Sequence, residues 1–344
     1  MRTAPRPLYL ILSVLVLIII ILWAARLGHI ETSFAELFTI LLYKTGFSSS
    51  PDLQSKLIFV IWEIRLPRIV CAAVVGGGLA VAGCVFQSIL QNPLADPYTL
   101  GISSGAAFGA SSAILLQLVG FTLPIIISTS MCAFLGSLLT LYAVFLLAAP
   151  SRRFSSNTLI LSGIIIASIL SAGISFIKFL ADENVNTIIF WIMGSFIGKN
   201  WQETILLLFI VLPSTIIIYV HARELDIMTF GERSSEALGI DNKVIRQRLL
   251  IVSSLCTAAC VSVSGIIGFV GLIVPHLARM VVGPSNNFLI PFSFFCGCIL
   301  LLCADTATRF ILPTELPIGV LTALIGGPVF CVIFRRTQLD KWRG

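Results

Sequence analysis

Few residues in this sequence of 344 are of the types that bind metals or catalyse reactions. The three histidines, His29, His221 and His276, are widely separated, which argues against a shared metal site. The nine cysteines lie mostly inside apolar runs and include no C-x-x-C pair. Small buried side chains are therefore a better interpretation of the cysteines than a disulfide or metal framework. We expect no metal centre and no cofactor.

Charged residues within or beside the apolar runs are a second group of candidates. Three residues are of this kind: Glu63, Lys178 and Asp305. We expect all three near the outer surface of the membrane that the chain spans. A proton or sodium relay needs carboxylates in mid-span, where a charge costs at least about 2.5–3.5 kcal/mol. No carboxylate stands out there, so an ion-coupled secondary transporter is disfavoured. The lack of paired histidines or carboxylates near one interface likewise disfavours a membrane-embedded enzyme.

The sequence also lacks the loop that most often cradles the phosphates of ATP. The closest approach to the pattern G-x-x-x-x-G-K-[ST] is Gly198-Lys199-Asn200, which lacks both the upstream Gly and the Ser/Thr. We therefore expect that this chain is not an enzyme and that another protein supplies its energy.

The elements that must position these residues are membrane helices. The sequence is 57% hydrophobic and 11% charged, against about 45–50% and about 25% in soluble domains. Its apolar runs approach the roughly 20 residues that cross a bilayer core, and they are continuous, whereas barrel strands alternate. The pattern predicts an all-α polytopic membrane protein, a single transmembrane domain over 1–344 with about 8–335 embedded. The ten predicted helices are 8–28, 65–90, 97–118, 122–148, 156–180, 200–221, 242–267, 274–282, 288–308 and 317–335, with a short additional helix at 184–197.

The basic residues predict how these helices are oriented. An even number of spans puts both termini on one side, and a cytoplasmic placement puts most of the 22 Lys and Arg residues inside. The same bias accounts for the net charge of +6, so no nucleic-acid partner is expected. Arg2 and Arg6 precede an apolar run that resembles a signal peptide, but the length of the run favours an uncleaved first helix.

Arg65 and Arg68 lie outside in this topology, against the positive-inside trend, and their spacing of three places them on one helix face. A partner outside the membrane is one interpretation, and snorkelling at the interface is the other. Arg309 offers the same choices, or a local pair with Asp305 at i, i+4.

Longer motifs interrupt the apolar runs in both halves of the chain. In the first half, Arg65-Leu-Pro-Arg68 precedes a segment from Gln87 to Gly101 that contains two prolines and an Asn. The second-half motifs are Gly268-Phe-Val-Gly-Leu-Ile-Val-Pro-His-Leu-Ala-Arg279, Ala304-Asp305 with Arg309, Leu316-Pro-Ile-Gly-Val320 and Gly326-Gly-Pro-Val-Phe330. In collinear order over roughly 60–336, these motifs resemble the FecCD family of binding-protein-dependent permeases, which import ferric siderophores, haem and cobalamin. One departure is Pro284-Ser-Asn-Asn287, where relatives often carry Asp-His-Arg.

The resemblance implies a BtuC-like permease fold of ten helices and a set of protein partners. These are a second permease copy or paralogue across a central pathway, two cytoplasmic ATPase subunits and an extracytoplasmic substrate-binding protein. It also implies that the loop 228–241 forms the coupling helix that docks into the ATPase, the alternative being an ordinary basic cytoplasmic loop. The coupling residues implied are Gly231, Glu232, Ser235, Glu236, Ala237, Leu238 and Gly239.

By the same resemblance, Arg65, Arg68 and Arg309 face acidic residues of the binding protein. The function implied is import of an iron chelate, either a ferric siderophore or haem, or of cobalamin across the cytoplasmic membrane. Molybdate or another oxyanion is the alternative cargo. The expected translocation and gating residues are Gln87, Asn92, Pro93, Leu94, Ala95, Gly101 and Gly105, with plain helix packing as the alternative for the glycines.

Overall fold

The computed structural model describes residues 6–28, 32–47, 53–121, 128–149, 155–231, 235, 237–238, 241–311 and 315–343. Throughout these residues the secondary structure is helical, joined by turns, with no strand. This agrees with the all-α membrane protein predicted from composition.

Seven helical stretches are long and apolar enough to cross a membrane. They are α1 (Arg6–Arg26), α3 (Ser55–Ile89), α5 (Thr129–Ala148), α6 (Ser156–Ala181) continued by α7 (Val185–Met193), α8 (Trp201–Val220), α10 (Asn242–Ser264) and α12 (Asn286–Ile311). Three further apolar helices are α4 (Ile102–Leu118), α11 (Val270–Val282) and α13 (Ile318–Arg343), the last apolar over Ile318–Val332. Each of the ten predicted helices has a counterpart among these elements.

Two short helices, α2 (Phe34–Lys44) and α9 (Ala222–Met228), were not predicted. The sequence signal for α2 is a capping box, in which the Ser33 Oγ accepts from the Glu36 N–H at 3.2 Å and the Ser33 N–H donates to the Glu36 carboxylate at 2.8 Å. This bond from the Ser33 backbone, with a second from its side chain, lowers the pKa of Glu36. α3 begins ten residues before its predicted start, because a π-helical segment, Val60–Arg65, joins Ser55–Phe59 to the apolar run.

α3 is the central helix of the fold. Its apolar window is 94% buried, against 17% for α1, so α3 is enclosed by other helices whereas α1 exposes most of its surface. The enclosing helices are α8, α10, α11 and α12. Small residues permit their close approach: a Cβ at Gly76 would overlap the carbonyl of Gly297 on α12, and a Cβ at Gly83 would overlap that of Gly271 on α11.

Candidate functional site

An ion cluster lies at one end of the α3–α12 pair. The Arg68 guanidinium donates from Nε and Nη2 to the Asp305 carboxylate at 2.9–3.1 Å, and from Nη1 and Nη2 to the Glu315 carboxylate at 3.1 and 2.8 Å. Arg309 also reaches Asp305, with 3.5 Å between its Nη2 and Oδ2. The side chain of Asp305 is 1% exposed, and those of Arg309, Arg68 and Glu315 are 10%, 11% and 33% exposed. We call these four residues the outer ion cluster, after the outside position that the predicted topology assigns to this end.

Arg65 lies one turn before Arg68 and points to a different site. Its Nη1 donates to the Ala25 and Arg26 carbonyls at 3.1 and 3.3 Å and to the Thr32 Oγ1 at 3.1 Å. The residue is 6% exposed. Arg65 therefore ties the start of α3 to carbonyls at the end of α1, which would otherwise lack helical partners.

The three arginines predicted to dock a partner thus lie at one end of the molecule, and each is engaged within the chain. The local pair of Arg309 with Asp305 is present. Docking by Arg65, Arg68 and Arg309 remains a prediction. For Arg65 it would require an almost fully buried side chain to leave its carbonyl partners.

Turns that interrupt the apolar helices meet at one junction, beside the last third of α3. The hydroxyl of Tyr98 donates to the Ile267 carbonyl at 2.9 Å, and the Ser195 N–H donates to the Ser264 carbonyl at 2.8 Å. The N–H of Ile318, at the start of α13, donates to the Gly194 carbonyl at 3.1 Å. These bonds satisfy backbone groups freed by the breaks. Non-helical backbone at membrane depth is tolerated where it is buried in protein or lines a cavity, and broken helices often mark the binding sites of transporters.

Phe269 is the most strained residue at this junction. It has a φ of 69°, in the left-handed region that bulky residues rarely adopt. Its ring packs against Gly326 on α13, where an added Cβ would lie 2.6 Å from the ring. Beside it lies an apolar cavity of about 160 Å³, lined by residues of α11, α12 and α13.

The predicted translocation residues occupy three different settings. Gln87 is buried, donates to the carbonyls of Gly271 and Leu272 and accepts from Arg279 Nη1 at 2.8 Å. Asn92, Pro93, Leu94 and Ala95 form the turn after α3, in which the Asn92 side chain accepts from the Leu94 N–H at 3.0 Å. Gly101, with φ of 75°, and Gly105 pack against backbone of α6 and α5 respectively. For these two glycines, close helix contact is what the structure shows.

The opposite end of the α3–α12 pair contacts α9. Gln91, just beyond α3, donates from Nε2 to the Met228 carbonyl at 3.0 Å. The Asp226 carboxylate accepts from the Asn286 backbone and side chain at 2.8 and 2.7 Å and from the Ser285 hydroxyl at 3.2 Å. The segment Pro284-Ser-Asn-Asn287, which departs from the family pattern, is therefore the start of α12 held by α9.

The predicted coupling segment 228–241 follows α9 directly. Gly231 accepts from both the N–H and the hydroxyl of Ser235, at 3.1 and 2.9 Å, and Ser235 is buried. Ala237 and Leu238 are exposed, the latter at 65%. Glu232, Glu236 and Gly239 lie outside the described residues. An exposed apolar residue next to a buried turn is compatible with a docking tip.

Comparison with known proteins decides the family of this chain. The model of the FecCD transport family matches residues 16–336. The chain belongs to the FecCD transport family. It is accordingly a multi-pass membrane permease subunit of an ABC importer, as the motifs between 60 and 336 predicted.

Three relatives of this FecCD permease carry different cargoes. The hemin transport system permease protein HmuU of Yersinia pestis is 36% identical, with 99% of this chain and 98% of that protein covered. The cobalamin import system permease protein BtuC of Halobacterium salinarum is 40% identical, with coverage of 81% and 74%. The molybdate import system permease protein MolB of Haemophilus influenzae is 36% identical, with 93% of each chain covered.

A solved ABC transporter of the metal-chelate type, in an inward-facing conformation, shares the fold of this FecCD permease. Its TM-score is 0.82 at 32% identity, and the match covers 96% of this chain and 99% of the other. The BtuC-like permease fold expected from the sequence is confirmed.

Several residues that position this site were not identified from the sequence. Glu315 binds Arg68 across 247 residues, Tyr98 binds Ile267 across 169, and Asp226 binds Asn286 across 60. No local periodicity links such partners. For Glu315 the available signal was an acidic residue beside the motif that begins at Leu316, at the outer end of a predicted span.

Proposed function

We propose that this permease imports an iron chelate, either a ferric siderophore or haem, or cobalamin across the cytoplasmic membrane. The observation that carries the proposal is the match along nearly the whole chain to a hemin permease, supported by the cobalamin permease at 40% identity. Molybdate or another oxyanion is the second candidate, because a molybdate permease matches at the same identity as the hemin permease.

The working assembly in this proposal contains two permease subunits, two cytoplasmic ATPase subunits and an extracytoplasmic binding protein. Both termini of this chain are cytoplasmic, so the outer ion cluster faces the binding protein and α9 faces the ATPase. The bias of Lys and Arg supports this orientation. Because the ion cluster and α9 lie at opposite ends of α3, they face opposite sides of the membrane in it.

The proposed mechanism is alternating access without bond chemistry in this subunit. The loaded binding protein docks at the arginine-bearing end, and cargo enters between the two permease subunits. ATP binding by the partner subunits moves the segment 228–241 and, through α9, the helices that carry the junction of broken helices. A difference in affinity of the ATPase pair for the two permease states supplies the bias.

Coupling to an ion gradient is less well supported by the described charges. Asp305 is the buried carboxylate of the outer ion cluster, and it lies between Arg68 and Arg309. Both of its oxygens are engaged by guanidinium groups, so the geometry does not present this carboxylate as an open site for a transported ion.

Uptake in cells with and without this chain tests the proposal. The probes are radiolabelled ferric hydroxamate, ferric catecholate, haem iron, cobalamin and molybdate, with the ATPase partner present in every strain. Dependence of one iron or cobalamin label on the chain is the expected result. If only molybdate uptake depends on the chain, the cargo is an oxyanion. If uptake of no label depends on the chain, both candidate cargo classes are refuted.

A variant of the coupling segment adds a control for the mode of energisation. Leu238→Asp places a charge on an exposed apolar residue of the proposed ATPase contact. We expect it to abolish uptake at equal membrane abundance. Phe230→Asp changes another exposed apolar residue of the same segment and tests whether a charge at any position there abolishes uptake.

A further inference from the structure

Arg68 has almost no capacity left for a new partner in this conformation. A guanidinium has five N–H groups, and four of those of Arg68 are used, two by Asp305 and two by Glu315. Both carboxylates are therefore bound through pairs of N–H groups, the geometry that recognises a carboxylate most specifically. A docking carboxylate can bind Arg68 in this way only if one of the two present carboxylates leaves.

The two carboxylates differ in how easily they can leave. Asp305 is 1% exposed and shared with Arg309, so its departure would strand two guanidinium groups. Glu315 is 33% exposed, and its described hydrogen bonds go to Arg68 alone. It lies in the non-helical residues just before α13, so its side chain can move into solvent at low cost.

The cluster also contains a donor that is not used. Arg309 Nε is buried and makes no hydrogen bond, although its Nη2 binds Asp305 and Thr306. An unsatisfied buried N–H costs free energy that an additional acceptor would recover. Since this N–H lies below the surface, an incoming acidic group would reach it only if the cluster rearranges.

We propose that Glu315 is an internal substitute for a carboxylate of the binding protein, and that docking exchanges the Arg68–Glu315 ion pair for an Arg68 pair with the partner. This inference rests on the proposed function, in which the outer end receives an acidic face of an extracytoplasmic protein. It adds that the permease blocks its own docking residue when no partner is present. The partner's carboxylate and Glu315 compete for the same two N–H groups.

The exchange has a consequence for specificity and for salt dependence. Because one ion pair replaces another, docking at Arg68 gains little net charge attraction. Acidic proteins in general should therefore bind weakly, and only a surface with further complementary contacts should displace Glu315. The affinity contribution of this pair should also change little with ionic strength. When Gln replaces Glu315, docking forms a new ion pair without breaking one, and salt should then weaken binding more steeply.

The test measures binding of the partner to permease variants. The binding protein that supports uptake of the identified cargo is titrated onto the assembled transporter in nanodiscs, with wild type, Glu315→Gln, Arg68→Ala and Glu63→Gln compared. Glu63 is an exposed carboxylate on α3, five residues before Arg68, and provides the same change of charge without a described bond to Arg68. We expect Glu315→Gln to raise affinity about twofold to fivefold with a steeper salt dependence, and Glu63→Gln to leave both nearly unchanged.

The outcomes separate the exchange from the proposed function. If Arg68→Ala weakens binding while Glu315→Gln leaves it unchanged or weaker, Arg68 docks the partner but the exchange is refuted. If Arg68→Ala has no effect, the exchange is refuted together with docking at this cluster, while the uptake experiment still decides the cargo. If Glu63→Gln strengthens binding as much as Glu315→Gln, general charge accounts for the effect and the exchange is refuted.

Discussion

At the scale of single residues, Asp305 shows how a membrane helix retains a buried charge. Its side chain is 1% exposed, a position that would be costly for an isolated carboxylate. Arg68 binds it with two N–H groups and Arg309 approaches from the next turn of α12, so one acid contacts two bases. The fourth member, Glu315, brings the cluster to zero formal charge.

Replacement of Asp305 is predicted to be strongly destabilising. Asp305→Asn leaves Arg68 and Arg309 facing one another with a neutral side chain between them. Removing one partner of a buried ion pair costs about 3–5 kcal/mol. The thermal midpoint of the detergent-solubilised protein should fall by several degrees, measured by intrinsic fluorescence.

An ion pair that is more open to solvent than Asp305 provides the contrast for that prediction. Glu203 pairs with Lys199 at 3.5 Å, one turn apart, with side chains 27% and 15% exposed. Glu203→Gln should cost no more than about 1 kcal/mol, since exposed pairs contribute little. Equal losses in the two variants would contradict the special role assigned to Asp305.

At the scale of helices, backbone contacts between small residues set the spacing of the core. α3 touches α11 at Gly83 and Gly271, and it touches α12 at Gly76 and Gly297. These contacts place the end of α3 beside the junction of broken helices, where Gln87 binds carbonyls of α11. In lipid the hydrophobic effect does not drive helices together, so close van der Waals packing of this kind stabilises their association instead.

A single added methyl group should therefore separate α3 from α11. In Gly83→Ala the new Cβ would overlap the Gly271 carbonyl, so we expect loss of both thermal stability and uptake, with expression and membrane insertion measured alongside. Gly268→Ala is the matched control, because a Cβ there meets no atom within 4 Å. Tolerance of Ala at Gly83 would show that this contact does not determine the helix spacing.

At the scale of the whole molecule, the α3–α12 pair connects the two ends of the permease. Arg68 and Asp305 join the helices at one end, and the Gly76–Gly297 contact joins them further along. At the opposite end, both are bound to α9. Movement of α9 thus has a direct route to the outer ion cluster through two packed helices.

Loss of the α9 contact to α12 is predicted to uncouple the transporter. Asp226→Ala removes the acceptor for Ser285 and Asn286, so α9 can move without α12. In the assembled transporter we expect uptake to fall about tenfold while ATP hydrolysis persists, measured in the same proteoliposomes. Glu224→Ala, on the same helix, should leave both rates unchanged.

The opposite result for these variants would also be informative. Parallel loss of uptake and ATP hydrolysis in Asp226→Ala would mean that Asp226 maintains the ATPase contact itself. Unchanged uptake would mean that the contact between Asp226 and α12 is dispensable, and that coupling uses other parts of the interface.

The sequence alone determined the class of this protein, the existence of its ten apolar helices and its family, whereas several helix starts differ from prediction by four to ten residues and the predicted start at 122 lies outside the described residues. A segment that crosses lipid must be apolar over about one span and must satisfy its own backbone groups as a helix. These are local properties, so they can be recognised in the sequence before the packing of the helices is known. Helix starts at 156, 242 and the region of 286–288 agree with prediction to within two residues. The departures occur where a local signal was mixed, as in the π-helical start of α3.

Only the tertiary structure decided which charged residues meet. Arg65 and Arg68 share a helix face in the sequence, yet Arg65 binds carbonyls of α1 and Arg68 binds Asp305 and Glu315. The same is true of Tyr98 with Ile267 and of Asp226 with α12. Such pairs depend on which helices pack together, because bilayer crossing fixes where a residue lies in depth but not which neighbour it faces.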